Sequence, residues 1–599
     1  MFRSLALLLS SAALLLCAGS SPPNVLFIIV DDLRAQAGAF GQTTITPNID
    51  RLAARGVTFT RAYVQISLCS PSRTSILTGR RPDSTRLWTI GPYFRNTTSA
   101  ASSITTLPQL LRASMTTTGA GKVWHPGTSS GGDASWGDGG VGGDDLPWSW
   151  SMQAPPGVDP RVVFWECDAW VNSTGQSAAS AGVPGGEGCV TSPECIACLI
   201  AHNGTDAHAV TVTPCPDECF VDSMVATRVS SVLSSAAASG ESIAFFAGFK
   251  RPHLGFQVPQ HAFDLYPANV SIAESRDPPA GMPPAGWWEN GETHGQADVR
   301  AFVLPNATFP GMLNDSIHAY LRRGYYASVS WMDSQLGRVL DTLDATGLSN
   351  STWVTFIGDH GWSLGEHGEW AKQQLFENAL RVPLIIAPPR GAAGWRTNAT
   401  VGPDEAFVEA IDLFPTIAEL LGVQPPDGLE GRSMVPLLRS SSAVLAPLKS
   451  NFTVAAPLKS NFSCSFSQIV RADRPCTSPS EELTPPPAPW DTDPPRRAPV
   501  GATSECLMGL SVRTLGWRYT TWLNFSYAEG SVGPRWDEVS GEELYDHTAS
   551  DSVSGGVDPG LDYDDASESV NVAAIPAFAA QKSAMLQLLK AGYNANERH

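Results

Sequence analysis

The sequence predicts an α/β protein with a large, mostly parallel central sheet flanked by helices, followed by a small C-terminal α+β subdomain. Apolar, β-branched runs recur at Asn24–Val30, Ile243–Phe249 and 353–357, the pattern of strands buried on both faces. Segments of helical periodicity at 222–238 and 325–343 alternate with them. Each apolar run stops abruptly at polar groups: Asp31-Asp32, Lys250-Arg251-Pro252-His253 and Gly358-Asp359-His360. Ligand sites of such sheets lie at the carboxyl ends of strands, so three strands bring titratable side chains to one edge.

With 599 residues, 42% hydrophobic and 16% charged, the chain can bury a large core and holds one big domain plus a smaller one. A net charge of −19 argues against a general nucleic-acid binder. An anionic substrate would need a local basic pocket, because charge is screened beyond roughly 10 Å. Arg73, Lys122 and Lys372 are candidates for it.

Residues 1–19 carry Arg3, an apolar run from Leu5 to Leu16 and small residues, which reads as a cleaved secretory signal. No second run approaches the roughly 20 residues of a membrane span, so no transmembrane anchor is expected. The eleven cysteines fit an oxidising compartment: beyond Cys17 and Cys69 they are Cys167, Cys189, Cys195, Cys198, Cys215, Cys219, Cys464, Cys476 and Cys506. Cys195-Ile-Ala-Cys198 is read as disulfide stapling rather than a metal site, with connectivity open. Eleven Asn-x-Ser/Thr sequons, from Asn96 to Asn524, suit a glycoprotein of the secretory pathway, lysosomal or extracellular.

In chain order, Thr46 to Leu52 form a loop and short helix, and Gly56-Val57-Thr58-Phe59 returns to extended structure. A helix begins near Cys69: Pro71 suits a first turn and Gly79 a stop, so backbone N–H groups converge on an anion pocket with a sulfur at its mouth. A helix over 105–113 precedes Lys122 and His125, which sit on a short extended piece ended by Pro126-Gly127 and can both face one cleft. Residues 127–160 read as a loop excursion and about 160–222 as a Cys-rich insertion. Val382-Pro383-Leu384-Ile385-Ile386 is a further strand, and 408–421 a helix. The main domain thus covers 20–440. Residues 441–505 turn Ser-, Pro- and Thr-rich, with Ala-Pro-Leu-Lys-Ser-Asn-Phe repeated at 446–452 and 456–462, and read as an extended linker or insertion. A subdomain over 506–599 follows, with strands at 511–514, 518–524 and 543–546 and a closing helix at 577–591.

Cys69-Ser70-Pro71-Ser72-Arg73, followed by Thr78-Gly79-Arg80, resembles the signature of type I sulfatases. Gly121-Lys122-Val123-Trp124-His125-Pro126-Gly127 and the stretch from Gly358 to Lys372 resemble their iduronate-2-sulfatase branch, over roughly 22–440 and part of 506–599. The resemblance implies a sulfatase/alkaline-phosphatase-like sandwich, and a Cys69 oxidised to formylglycine by the formylglycine-generating enzyme. It implies a cation held by Asp31, Asp32, Asp359 and His360 with residue 69; the oxygen-rich donor set favours Ca²⁺, with Mg²⁺ second. The broader family more often has Asn where His360 stands, so this departure itself places the chain.

By the same resemblance, hydrated residue 69 attacks sulfur, and Arg73 and Lys122 neutralise charge. His253 or Lys372 protonates the departing alcohol, and His125 removes a proton to release sulfate. Lys122, His253 and Lys372 also bind substrate. The implied function is hydrolysis of a sulfated sugar, with a 2-sulfated uronic acid as first guess. A phosphate or phosphonate ester hydrolase is the alternative. A non-catalytic carbohydrate-binding relative fits less well, because every expected polar site residue is present. The sugar pocket is expected from 127–220.

Overall fold

The computed structural model describes residues 22–98, 100–131, 145, 148–151, 193–202, 208–288, 291–294, 296–300, 313–440, 463–471, 507–526, 533–548 and 568–594. The central sheet is built from β1 (Asn24–Val30), β2 (Val57–Tyr63), β3 (Thr116–Gly121), β4 (Ile243–Phe249), β5 (Thr352–Gly358), β6 (Arg381–Ala387), β7 (Ala399–Val401) and β8 (Val408–Glu409). Its order is β7-β2-β6-β5-β1-β4-β3, with β8 also paired to β2. Pairing is parallel everywhere except where β6 meets β2 and β5.

Every residue of β1 is buried, because both faces are covered. Leu26, Ile28 and Val30 join one core with α4 (Val221–Ser239) and α5 (Asp315–Ala345). Val25, Phe27 and Ile29 point the other way, into a core with α2 (Cys69–Thr78) and α6 (Leu413–Leu421). These are the two helical layers of the sandwich; α1 (Pro47–Ala53) and α3 (Leu107–Leu111) complete them. Register then positions the site. Val30 lies opposite both Phe249 and Gly358, so the residues following β1, β4 and β5 leave the sheet at one level.

The C-terminal subdomain is an antiparallel sheet in the order β9 (Cys464–Arg471), β10 (Leu507–Thr514), β11 (Trp517–Ser526), β12 (Gly533–Asp546), with α7 (Ala579–Asn594) closing the chain. Strand β9 falls inside 441–505, so that stretch is not linker throughout. Ser and Pro around it conceal Phe466, Ile469 and Val470, which pair residue by residue with β10. The helix expected over 408–421 begins only at Leu413: β8 precedes it, and Glu409 and Asp412 form a capping box that starts the turn. Lys122 and His125 lie in the loop after β3 rather than on an extended piece.

Disulfides join Cys195 to Cys219 and Cys198 to Cys215, in keeping with the stapling reading. Cys17, Cys167, Cys189, Cys476, Cys506, the 1–19 signal and most of the 127–220 excursion lie outside the described residues. Among the described residues no helix is long and apolar enough to cross a membrane.

Candidate active site

The ten residues singled out from the sequence converge at the carboxyl edge of the sheet. Asp31 and Asp32 follow β1. Asp32 takes the left-handed conformation (φ 58°), a local strain typical of functional turns that swings the chain off the strand. Its N–H donates to Asp359 Oδ1 at 2.9 Å, as does the N–H of His360, which fixes the Asp359 carboxylate. Lys122 reaches the same level because Gly121 and Gly248 let β3 and β4 approach closely. A Cβ on Gly121 would lie 2.0 Å from the Gly248 oxygen, and one on Gly248 would lie 2.0 Å from the Lys122 carbonyl carbon. His253 lies on the turn after β4, where both Asp222 oxygens hold the N–H groups of Lys250 and Arg251 at 2.7 and 3.0 Å.

The helix beginning at Cys69 is buried along all ten residues and ends at Gly79 in the left-handed conformation, as its sequence demands. Arg73, one turn in, is fully buried between two carboxylates: Nη2 to Asp31 Oδ1 and Nε to Asp359 Oδ2, each 2.9 Å. Its Nη1 also donates to the Lys122 carbonyl, and Ser72 Oγ to that of Asp359. The helix N-terminus is therefore locked to three strand ends.

Around Cys69 Sγ stand His360 Nε2 at 3.2 Å, Lys122 Nζ at 3.9 Å and Asp32 Oδ1 at 4.0 Å. Lys122 pairs with Asp31 at 2.6 Å and Lys372 with Asp32 at 3.0 Å, while Lys372 also lies 5.1 Å from the centre of the Trp362 ring. Three carboxylates thus face three cations. Burial alone would raise Asp31, but Lys122, Arg73 and Lys372 outweigh it and hold its carboxyl well below the usual range. Burial pushes the Cys69 thiol up to about 12, so residue 69 as a cysteine is a protonated, weak nucleophile. Burial and Lys122 hold His125 and His253 well below their usual value.

His360 brings an imidazole to the candidate metal site. Its Nδ1 lies 2.9 Å from the Gly361 carbonyl, which can only accept, so Nδ1 bears the hydrogen. Nε2 then faces Asp32 Oδ1 at 3.3 Å, Asp359 Oδ2 at 3.7 Å and Cys69 Sγ at 3.2 Å. Ligand atoms of Asp31, Asp32, Cys69 and His360 all lie within 4.8 Å of one another. These groups can hold a metal ion, and Asp359 Oδ2, 3.7 Å from His360 Nε2, adds a further carboxylate oxygen.

His125 is buried, and neither ring nitrogen has a hydrogen-bond partner. A neutral imidazole in that state is free to take a proton. Within the long 358–372 motif, Asp359, His360 and Lys372 face the site, whereas Glu366 turns away to hold Arg34 at 2.8 Å and Arg322 at 2.7 Å.

One residue went unseen in the sequence. Glu292, on the short helix Gly291–His294, lies 3.4 Å from Lys372 Nζ and 3.6 Å from His253 Nε2. It sits in a stretch of Gly, Trp and Asn with neither periodicity nor a motif, and only the Glu itself hinted at chemistry.

Known proteins are similar to this chain over most of its length. The sulfatase family profile matches residues 23–423. Iduronate 2-sulfatase of Homo sapiens is 31% identical over 545 residues, covering 87% of this chain and 88% of that protein. Iduronate 2-sulfatase of Mus musculus is 30% identical over 566 residues, covering 89% and 92%. Among solved structures, the phosphonate monoester hydrolase of Agrobacterium radiobacter shares the fold at TM-score 0.59 and 21% identity, covering 96% of both chains. A 2-O GAG sulfatase does so at TM-score 0.57 and 18% identity, covering 96% of this chain and 93% of that one.

Proposed function

The chain belongs to the sulfatase family, and on that premise we propose that it is a formylglycine-dependent enzyme that removes sulfate from a sulfated sugar. The observation that carries this reading is the setting of Cys69: buried at a helix start, its thiol pushed up by that burial, and ringed by Lys122, His360 and Asp32. Oxidised by the formylglycine-generating enzyme and hydrated, residue 69 supplies a hydroxyl nucleophile where a thiol supplies little. A Ca²⁺ held by Asp31, Asp32, Asp359 and His360 would supply positive charge for that hydroxyl and the sulfate oxygens when bound.

The chain's own groups then divide the work. Lys122 and Arg73 offset negative charge around residue 69, one as a point charge and the other as a fork fixed by Asp31 and Asp359. As the new bond to sulfur forms, the attacking hydroxyl gives its proton to the Asp32 carboxylate beside residue 69, the ester's S–O bond breaks, and the alcohol oxygen takes a proton from Lys372, or from His253 once both of its nitrogens are protonated. Burial disfavours a charged Lys372, yet Asp32, Glu292 and Asp31 outweigh it, so the ammonium arrives carrying its proton. His125, neutral and without hydrogen-bond partners, accepts the proton from the second hydroxyl, which restores the aldehyde and releases sulfate.

The kinship with iduronate 2-sulfatases supports a 2-sulfated uronic acid as substrate, and the signal-like run over 1–19 with the sequons supports the secretory pathway, lysosomal or extracellular, as location. Turnover of p-nitrophenyl sulfate and p-nitrophenyl phosphate tests the reaction class, since the leaving group is shared. Sulfate should be preferred; a tenfold preference for phosphate, about 1.4 kcal/mol in the barrier, would overturn the reading in favour of a phosphate or phosphonate ester hydrolase.

A further inference from the structure

Residue 69 lies at the floor of the site, 1% exposed. His253 and Glu292, at 20% and 29% side-chain exposure, mark its open side. In an in-line displacement the alcohol departs opposite the attacking oxygen, and so toward that open side. Lys372, which carries the proton, and His253 both meet one carboxylate oxygen there. Lys372 Nζ lies between Asp32, at 3.0 and 3.2 Å, and Glu292 Oε1 at 3.4 Å. His253 Nδ1 lies 2.6 Å from the Leu254 carbonyl and must carry the hydrogen, so Nε2 is the atom turned into the site, 3.6 Å from the same Glu292 oxygen.

Asp32 alone would draw the Lys372 ammonium down toward the metal-binding side. A second carboxylate on the far side shares the ammonium and keeps it where a departing oxygen passes. We propose that Glu292 is a positioning residue for leaving-group protonation, holding Lys372, with His253 beside it, at the mouth of the site. The inference rests on the sulfatase reading of the site and adds to it a residue at the open side.

Such a residue matters in proportion to how badly the leaving group needs its proton. The experiment compares mature wild-type protein with Glu292→Gln, Glu292→Ala and Glu292→Asp on p-nitrophenyl sulfate, a good leaving group, and phenyl sulfate, whose phenol titrates near about 10. For Glu292→Gln and Glu292→Ala, kcat on p-nitrophenyl sulfate should stay within about threefold of wild type, while kcat on phenyl sulfate falls by about tenfold to a hundredfold, with Glu292→Asp recovering part of the loss. An equal loss on both substrates, as a merely structural tether would give, overturns the inference; so does no loss on either. Failure of the sulfatase reading shows separately, as wild-type protein that hydrolyses neither sulfate.

Discussion

Two buried clusters of charge in this molecule look alike in composition and differ in what they can do. The first gathers Asp31, Asp32 and Asp359 against Arg73, Lys122 and Lys372. The second lies where the C-terminal sheet meets the main domain. There Glu377 takes Arg518 at 2.5 Å, Arg513 at 3.2 Å and the Tyr63 hydroxyl at 2.7 Å. Glu568 takes Arg518, His547 at 3.0 Å and the N–H of Glu377 at 2.9 Å. Each cluster also brings three or more potential metal ligands together. At the junction, however, the carboxylates are capped by planar guanidinium forks and the group is closed. At the sheet edge, His125 keeps two unpartnered nitrogens, and one side is open. Density of titratable groups therefore does not mark the working site; convergence of unsatisfied atoms beside an opening does.

The sharpest way to break this contrast is to unpair the junction. Arg518→Met leaves two buried carboxylates short of a cation and should cost about 3–5 kcal/mol in urea unfolding, with kcat of the folded fraction changed less than about threefold. A large kcat loss without a stability loss would place the junction in the chemistry.

A smaller effect comes from acid. Burial raises Glu568, but Arg518 and His547 outweigh it and bring its carboxyl from 4.5 down to about 2. A depressed carboxyl contributes stability that is complete above its unfolded value and is lost as pH falls through its folded value. Glu568 should thus give up about 3 kcal/mol between pH 4.5 and 2, measurable as a drop in unfolding free energy that Glu568→Gln flattens. Unchanged acid sensitivity in that variant would remove the junction from the acid response.

The smallest change tests the site from its own side. His125→Gln should lower kcat about 100-fold, about 2.7 kcal/mol, while shifting stability by less than about 1 kcal/mol, because the imidazole gives up no hydrogen bond. A stability loss larger than the activity loss would make His125 a structural residue like those at the junction.

The same contrast explains what the sequence could and could not show. Strands Asn24–Val30 and Ile243–Phe249 appear with the expected bounds, since burial on both faces leaves a continuous apolar signature. The polar residues after them were legible because an abrupt stop in an apolar run is visible in one dimension. Strand Cys464–Arg471 was not, because half of it is polar and its partner lies beyond a long Pro-rich stretch. The antiparallel placing of Arg381–Ala387 was also hidden, since its residues read the same in either direction. Glu292 and the junction pair Glu377 and Glu568 are set by packing between distant segments, and no local spacing announces them. The ten candidate site residues came from motif resemblance and strand ends, and geometry brings all ten together. Lys122 arrives there through the close Gly121–Gly248 approach, which only the fold reveals.

The central claim is that residue 69 is a precursor to the nucleophile rather than a working thiol. Mass spectrometry of the tryptic peptide from Ala62 to Arg73, taken from protein made in its native host, tests it most directly. The account predicts that the peptide carries an aldehyde in place of the cysteine thiomethyl group and resists thiol alkylation. An intact, alkylatable Cys69 in catalytically active protein would contradict it.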